Sequence, residues 1–120
     1  MTLRELIKTY PSKFYPQTWY AEEKFMDTPA PLNLPAIPVT LSNRGMPPEL
    51  IMWHMEDLVP AVTLAALYVK EPEHPIWLSY LWTSDYDYLG QRVYLGDNGT
   101  GLEIHRHLAI NDRWGVPRWG

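Results

Sequence analysis

The first seventy residues have the hydrophobic spacing of helices. Thr2 and Glu5 stand three positions apart, which is the capping-box pattern that begins a helix. Apolar residues then recur at helical intervals until Pro11 ends the run: Leu3, Leu6, Ile7 and Tyr10. We predict further helices over 18–27 and 49–58. The segment 61–70 is apolar on nearly all sides, a pattern that fits a buried helix or a buried strand, and its alanines favour the helix.

The prolines separate this helical part from a β part. Eleven of the 12 prolines lie at or before Pro75, and four of them make 29–38 an extended connector. Because proline lacks the N–H group that a sheet needs, we place the sheet within 76–116. It begins with a strand over 76–83. A hairpin follows, with strands over 92–95 and 102–110 joined by the turn-forming sequence Gly-Asp-Asn-Gly-Thr-Gly.

These elements predict an α+β fold. N-terminal helices would pack on one face of a C-terminal antiparallel sheet that contains a well-defined β-hairpin. With 120 residues the chain has the size of one domain, so we expect 1–120 to form a single globular unit. Its helical part would cover about 2–70 and its β part about 76–116.

Composition and charge exclude several classes of function. The chain has no cysteine, so disulfide scaffolds, thiolate nucleophiles and cysteine-based metal sites are excluded. Its formal charge of −4 opposes binding to nucleic acid, which is itself negatively charged. No apolar run approaches the roughly 20 residues of a membrane span, and the first ten residues lack the order of a signal peptide. We therefore expect a soluble, cytoplasmic protein without membrane contact.

The aromatic residues indicate a contact surface. Six Trp and eight Tyr accompany only two Phe, so nearly every ring carries a polar group, as is common at protein interfaces. We predict a non-enzymatic protein-interaction or accessory module, with a homodimer as the simplest version. The C-terminal residues would pack on their own domain or bind a protein partner. The candidate binding residues are Trp82, Tyr86, Tyr88, Arg113, Trp114, Arg118 and Trp119.

One group of residues suggests a metal-dependent enzyme instead. Glu103, His105 and His107 alternate along a predicted strand, so their side chains would share one face and could bind a divalent metal. The spacing from Gly99 through both histidines to Asp112 resembles the first histidine motif of the cupin superfamily, which implies a metal site at these histidines. The resemblance covers about 20 residues, and the second cupin motif does not follow. Without a metal, these side chains are surface residues of a hairpin.

Other chemistries have weaker support. Asp85 and Asp87 lack the further ligands of a calcium loop and fit an exposed turn. With Glu103 they could serve glycoside hydrolysis, and exposed aromatic rings could bind a sugar or another small ligand. No serine stands in a nucleophile elbow, and no glycine-rich phosphate loop opens a helix. We therefore favour a non-enzymatic function, with a divalent metal as the one cofactor left open.

Overall fold

Within the described part of the chain, the fold consists of two α-helices and a five-stranded sheet. The computed structural model describes residues 1–38, 40–42, 58–106 and 114–118, and for 40–42 and 114–118 it describes the backbone alone. The elements are α1 (Leu3–Thr9), β1 (Thr40–Ser42), α2 (Ala61–Lys70), β2 (Tyr80–Tyr86), β3 (Arg92–Asp97), β4 (Leu102–Arg106) and β5 (Trp114–Arg118). Strands β2, β3 and β4 form the antiparallel sheet with the expected hairpin, and helices pack on it. The α+β prediction is confirmed.

Helix α1 begins at the predicted capping box. The Thr2 hydroxyl accepts the Glu5 N–H group at 3.2 Å, and the Glu5 carboxylate accepts the Thr2 N–H group at 2.9 Å. These two bonds satisfy backbone donors that the first helical turn leaves without partners. Leu3 and Leu6 are buried, so α1 lies on the core through the side that the spacing predicted.

Helix α2 is the buried helix predicted over 61–70. Seven of its ten residues are buried, which explains why its sequence has no polar stripe. Pro60 stands at the N-cap and offers no side-chain acceptor. Asp85 on β2 replaces the missing cap, because its Oδ2 accepts the Ala61 N–H group at 2.7 Å. No helix among the described residues is both long and apolar enough to cross a bilayer.

The sheet has an inner face and an outer face. Alternation along the strands sends one set of side chains into the main core with α1 and α2: Leu81, Val93, Leu95, Leu102 and Ile104. The other set lies on the opposite, outer face: Tyr80, Trp82, Tyr94, Glu103 and His105. The outer face is therefore rich in polar aromatic rings, whereas the inner face is aliphatic.

The segment at 14–19 covers the free edge of β4. Tyr15 donates its N–H group to the Leu102 carbonyl at 2.9 Å. The Gln17 amide oxygen accepts the Ile104 N–H group at 3.0 Å, and the Trp19 indole donates to the Ile104 carbonyl at 2.8 Å. Since an open edge invites pairing with other chains, these three bonds protect the hairpin from aggregation.

Two local predictions were wrong in their extent. Of the helix expected over 18–27, the structure has only a 3-10 turn at Lys24–Asp27. The strand expected from residue 76 begins at Tyr80, because Pro75–Leu78 forms a 3-10 turn. His74 begins that turn, since its Nδ1 accepts the Ile76 N–H group at 3.1 Å. The helix expected over 49–58, apart from Leu58, and the strand end expected at 107–110 lie outside the described residues.

The C-terminal segment belongs to the sheet. Strand β5 lies between β1 and β2, which gives the order β1-β5-β2-β3-β4. It runs parallel to β2, with Trp114 opposite Tyr80, and antiparallel to β1. The antiparallel sheet predicted within 76–116 is thus extended by a parallel neighbour, β5, and by β1. Pro117 pairs only with Leu41 of β1, so its missing N–H group does not interrupt the pairing with β2.

Candidate functional site

The turn between β2 and β3 presents three apolar side chains to solvent. Tyr86 is 45%, Tyr88 78% and Leu89 61% exposed. We call these three residues the turn surface. Tyrosines are over-represented among the residues that dominate binding at protein interfaces. The turn surface contains two of the residues that the sequence placed in a contact surface.

The backbone of this turn is held from beneath by Asp87. Its Oδ1 accepts the N–H groups of Leu89 at 2.9 Å and Gln91 at 2.8 Å. Its Oδ2 lies 3.4 Å from the Arg106 guanidinium, and the Asp87 side chain has no exposed surface. Gly90 supplies the positive φ of +80° that the reversal requires. Asp87 is therefore a structural anchor, and the exposed position expected for it in this turn is wrong, because the side chain is buried under the turn.

A second carboxylate holds the turn from the neighbouring loop. Glu23 is 7% exposed, and its Oε1 accepts the Tyr88 N–H group at 3.0 Å. Within the described chain the other oxygen of this carboxylate accepts no hydrogen bond. Glu23 lines a cleft of about 390 Å³, which we call the turn cleft. The lining residues are Glu22, Glu23, Lys24, Tyr86, Asp87 and Tyr88.

Tyr86 is fixed by a buried arginine. The Arg92 guanidinium lies 4.4 Å from the centre of the Tyr86 ring and donates a hydrogen bond to its hydroxyl. A second donor of Arg92 reaches the Thr83 carbonyl at 2.7 Å. The stacking of a cation on the ring adds to these bonds. One face of Tyr86 is therefore occupied by the protein, and the exposed remainder forms a wall of the turn cleft.

Of the charged side chains that line the turn cleft, Asp87 is paired with a cation, whereas Glu22 and Glu23 leave the cleft negatively charged. Asp87 is neutralised by Arg106, and Arg92 lies close enough to Asp85 to lower its pKa against the larger, raising effect of burial. The cleft is left with the carboxylates of Glu22 and Glu23 against the Lys24 ammonium. A basic or N–H-bearing group of a partner would therefore complement its remaining negative charge.

On the outer face of the sheet, Glu103 and His105 form the predicted neighbouring pair. The two side chains meet at 2.6 Å between Oε1 and Nε2, and the second Glu103 oxygen accepts the Asn98 amide at 3.2 Å. The His105 ring stacks on Tyr94, with centroids 5.4 Å apart. Burial, followed by the nearby Tyr80 and Glu103, raises the pKa of the Tyr94 hydroxyl to about 12. Tyr94 is therefore a neutral phenol at physiological pH.

The remaining candidate residues are one buried tryptophan, three residues outside the described part of the chain and two residues of β5. Trp82 is fully buried against Tyr94 on the outer face, so in this conformation it cannot contact a partner. Arg113, Trp119 and His107 lie outside the described residues. Trp114 and Arg118 are backbone members of β5, so the predicted Arg-Trp tail is integrated into the sheet over these positions. Among the described residues, no group of three His, Asp or Glu side chains could hold a metal ion.

The sequence did not point to the residues at 22–24. Glu23 and Tyr88 are 65 positions apart, and the helix-forming composition of 18–27 explained the three charged side chains locally. Only the tertiary fold brings them against the turn surface.

Comparison with protein-family models, curated proteins and solved structures found no match to this chain. The cupin resemblance at 99–112 therefore depends on residue spacing alone.

Proposed function

We propose that this chain is a non-enzymatic protein-interaction module that binds through the turn surface and the adjoining turn cleft. The observation that carries the proposal is the combination of exposure and rigidity at this turn. Tyr88 is 78% exposed, yet the backbone around it is fixed by the buried carboxylates of Glu23 and Asp87. Large rings that stand in solvent on an ordered backbone do not contribute to the core, which makes a role in contact with another molecule the better explanation.

This arrangement favours binding because the backbone of the turn is already ordered before a partner binds. Loops that become fixed on association lose conformational freedom, which weakens the complex. A turn already held by side-chain hydrogen bonds avoids much of that loss. Removing a well-packed interface tyrosine costs about 2 kcal/mol, which corresponds to weakening of binding by more than tenfold.

The partner expected here is a protein segment with an apolar side chain beside a basic or N–H-bearing group. The apolar side chain would cover Tyr88 and Leu89, and the polar group would meet the Glu23 oxygen that accepts no hydrogen bond in the described chain. A second copy of this chain is the first partner to test, because most soluble oligomers are homodimers.

The first experiment compares Tyr88→Ala with Tyr10→Ala. Tyr10 is 39% exposed near the end of α1, so the control removes the same side chain outside the turn cleft. Molar mass is measured by light scattering across a concentration series, and heterologous binding is measured by affinity capture with the same two variants. We expect only Tyr88→Ala to weaken association, by on the order of tenfold or more. Equal behaviour of both variants would overturn the proposal.

The metal-dependent enzyme remains the second candidate, favoured by the shared face and close contact of Glu103 and His105. Elemental analysis of untagged protein purified without chelator tests it directly. Stoichiometric metal that is lost in His105→Ala would support this candidate. A metal-free protein would leave the contact between Glu103 and His105 as a structural one within the sheet.

A further inference from the structure

The hairpin between β3 and β4 contains an Asn-Gly step whose neighbours form hydrogen bonds to it. Asn98, Gly99 and Thr100 are exposed at its tip, and Gly99 has a φ of +97° with no atom within 4 Å of the position a Cβ would take. The Gly99 N–H group donates to Asp97 Oδ1 at 2.7 Å. The Asn98 amide oxygen accepts two hydrogen bonds from Thr100, from the backbone N–H at 2.9 Å and from the hydroxyl at 2.6 Å.

We propose that this turn promotes its own deamidation at Asn98. In this reaction the Gly99 nitrogen attacks Cγ of the preceding Asn98 side chain and closes a five-membered succinimide ring. A Cβ on the following residue hinders the attack, and glycine has none. The step needs an acceptor for the proton of the Gly99 nitrogen, stabilisation of the developing oxyanion and protonation of the departing amine; the first two have a neighbouring group in the turn, and solvent supplies the third.

Asp97 is the proton acceptor. An amide nitrogen is a poor nucleophile until it loses its proton, and the Asp97 carboxylate already accepts that N–H group at 2.7 Å. The position meets the distance requirement for a general base. Tyr68 donates its hydroxyl to the other Asp97 oxygen at 2.8 Å, which orients the carboxylate toward Gly99.

Thr100 stabilises the oxyanion. When the Gly99 nitrogen bonds to Cγ, negative charge develops on the Asn98 amide oxygen. The two Thr100 donors already point at that oxygen, as donors do in oxyanion holes of acyl-transfer enzymes. The arrangement resembles those sites in role, although it is built from three consecutive residues and an adjacent aspartate.

The reaction balances without a cofactor. The N–C bond forms as the Gly99 proton passes to Asp97, the proton returns through solvent to the Asn98 side-chain nitrogen, the Cγ–Nδ2 bond breaks, and ammonia leaves. Water then opens the succinimide at either carbonyl, which yields an aspartyl or an isoaspartyl residue at position 98. No oxidation or reduction takes place.

The modification would act on the outer face of the sheet. In the unmodified chain the Asn98 amide donates to Glu103, whose other oxygen contacts His105. Conversion removes this donor and places a second carboxylate against Glu103. Like charges at such a distance repel, so the hairpin tip and the Glu103 and His105 pair would be loosened together. The inference is independent of the proposed binding function.

The test measures deamidation by peptide mass spectrometry of the full chain during incubation at neutral pH. Asn33, which is exposed and followed by Leu34, serves as an internal reference. A synthetic peptide of residues 95–102 gives the rate without the fold. Thr100→Val removes the hydroxyl donor but keeps the backbone donor, and Thr100→Ser restores the hydroxyl. Circular dichroism verifies that both variants fold.

We expect Asn98 to deamidate faster in the folded chain than in the peptide. Asn33 should remain unmodified during the same incubation. Oxyanion donors contribute ~10²-fold or more in enclosed sites, and water around this exposed turn reduces the effect, so Thr100→Val should slow the reaction about tenfold. Thr100→Ser should retain the original rate. A folded chain that reacts no faster than the peptide, or equal rates in the Val and Ser variants, would overturn the proposal.

Discussion

Replacement of Asp85 tests how the buried helix α2 begins. Pro60 at the N-cap has no side-chain acceptor, and Asp85 reaches across from β2 to accept the Ala61 N–H group at 2.7 Å. Ala61 has no exposed surface, so water cannot replace the lost bond easily. Two substitutions distinguish the effect of the hydrogen-bond acceptor from the effect of the carboxylate charge. Asp85→Ala removes both, whereas Asp85→Asn keeps an oxygen acceptor that is neutral.

The magnitude follows from the contacts of Asp85. Loss of an N-cap acceptor costs about 1 kcal/mol, and a buried donor left without a partner costs ~1–3 kcal/mol. These two figures describe the same missing bond, so we expect Asp85→Ala to lower the free energy of unfolding by about 2 kcal/mol. For a domain of this size that corresponds to a decrease in Tm of roughly 5–12 °C.

Asp85→Asn is expected to behave differently because the carboxylate is partly buried. Burial raises the pKa of Asp85 above its ordinary value of 3.8, against the opposing effects of the Ala61 hydrogen bond and the Arg92 charge. The folded state therefore holds a proton at pH values where the unfolded state has released it. Stability contributed by this group consequently falls as pH rises from 3.8 through the higher folded pKa. We expect Asp85→Asn to stay within about 1 kcal/mol of the parent protein at neutral pH.

The assay is urea unfolding of the parent and both variants between acidic and neutral pH. The parent should lose stability relative to Asp85→Asn as pH rises through this window, and Asp85→Ala should be the least stable at neutral pH. Equal stabilities of the Ala and Asn variants would refute the cap. A parent that gains stability relative to Asp85→Asn over the same window would refute the argument from burial.

Two further substitutions test the packing of the sheet. Gly96→Ala would place a Cβ 2.6 Å from the Tyr80 ring and 2.8 Å from the Ser79 carbonyl, so we expect a loss of about 3 kcal/mol in chemical unfolding; an unchanged midpoint would contradict this packing. Trp19→Phe keeps an aromatic ring but removes the indole bond to the Ile104 carbonyl, and should cost about 1 kcal/mol and speed amide exchange in β4. Unaltered exchange in β4 would show that the segment at 14–19 does not protect that edge.

Three predictions from local sequence patterns are confirmed by the structure. The capping box at Thr2 and Glu5, the apolar run at 61–70 and the turn sequence at 96–101 each contain their structural signal within a few residues. Helix initiation, burial on all sides and reversal of the chain at glycine are local properties. The hairpin was therefore predictable, including the common face of Glu103 and His105.

Predictions that depend on distant contacts were incomplete. Strand β5 has a glycine and a proline in five residues and gains its place by pairing with β1 and β2, so its strand signal is weak. Trp82 has the residue type of an interface but is buried on the outer face, where its ring packs against Tyr94. The contact between Glu23 and Tyr88 joins segments that no sequence pattern connects.

The most direct measurement of the proposed function is photo-crosslinking from within the turn surface. A photoreactive amino acid replaces Leu89, which is 61% exposed beside the turn cleft, or Leu32, which is fully exposed in the proline-rich connector. We predict a covalent adduct to a second copy or to another protein from position 89, lost when Tyr88→Ala is added, and none from position 32. Equal adducts from both positions, or none from position 89, would contradict binding at the turn surface.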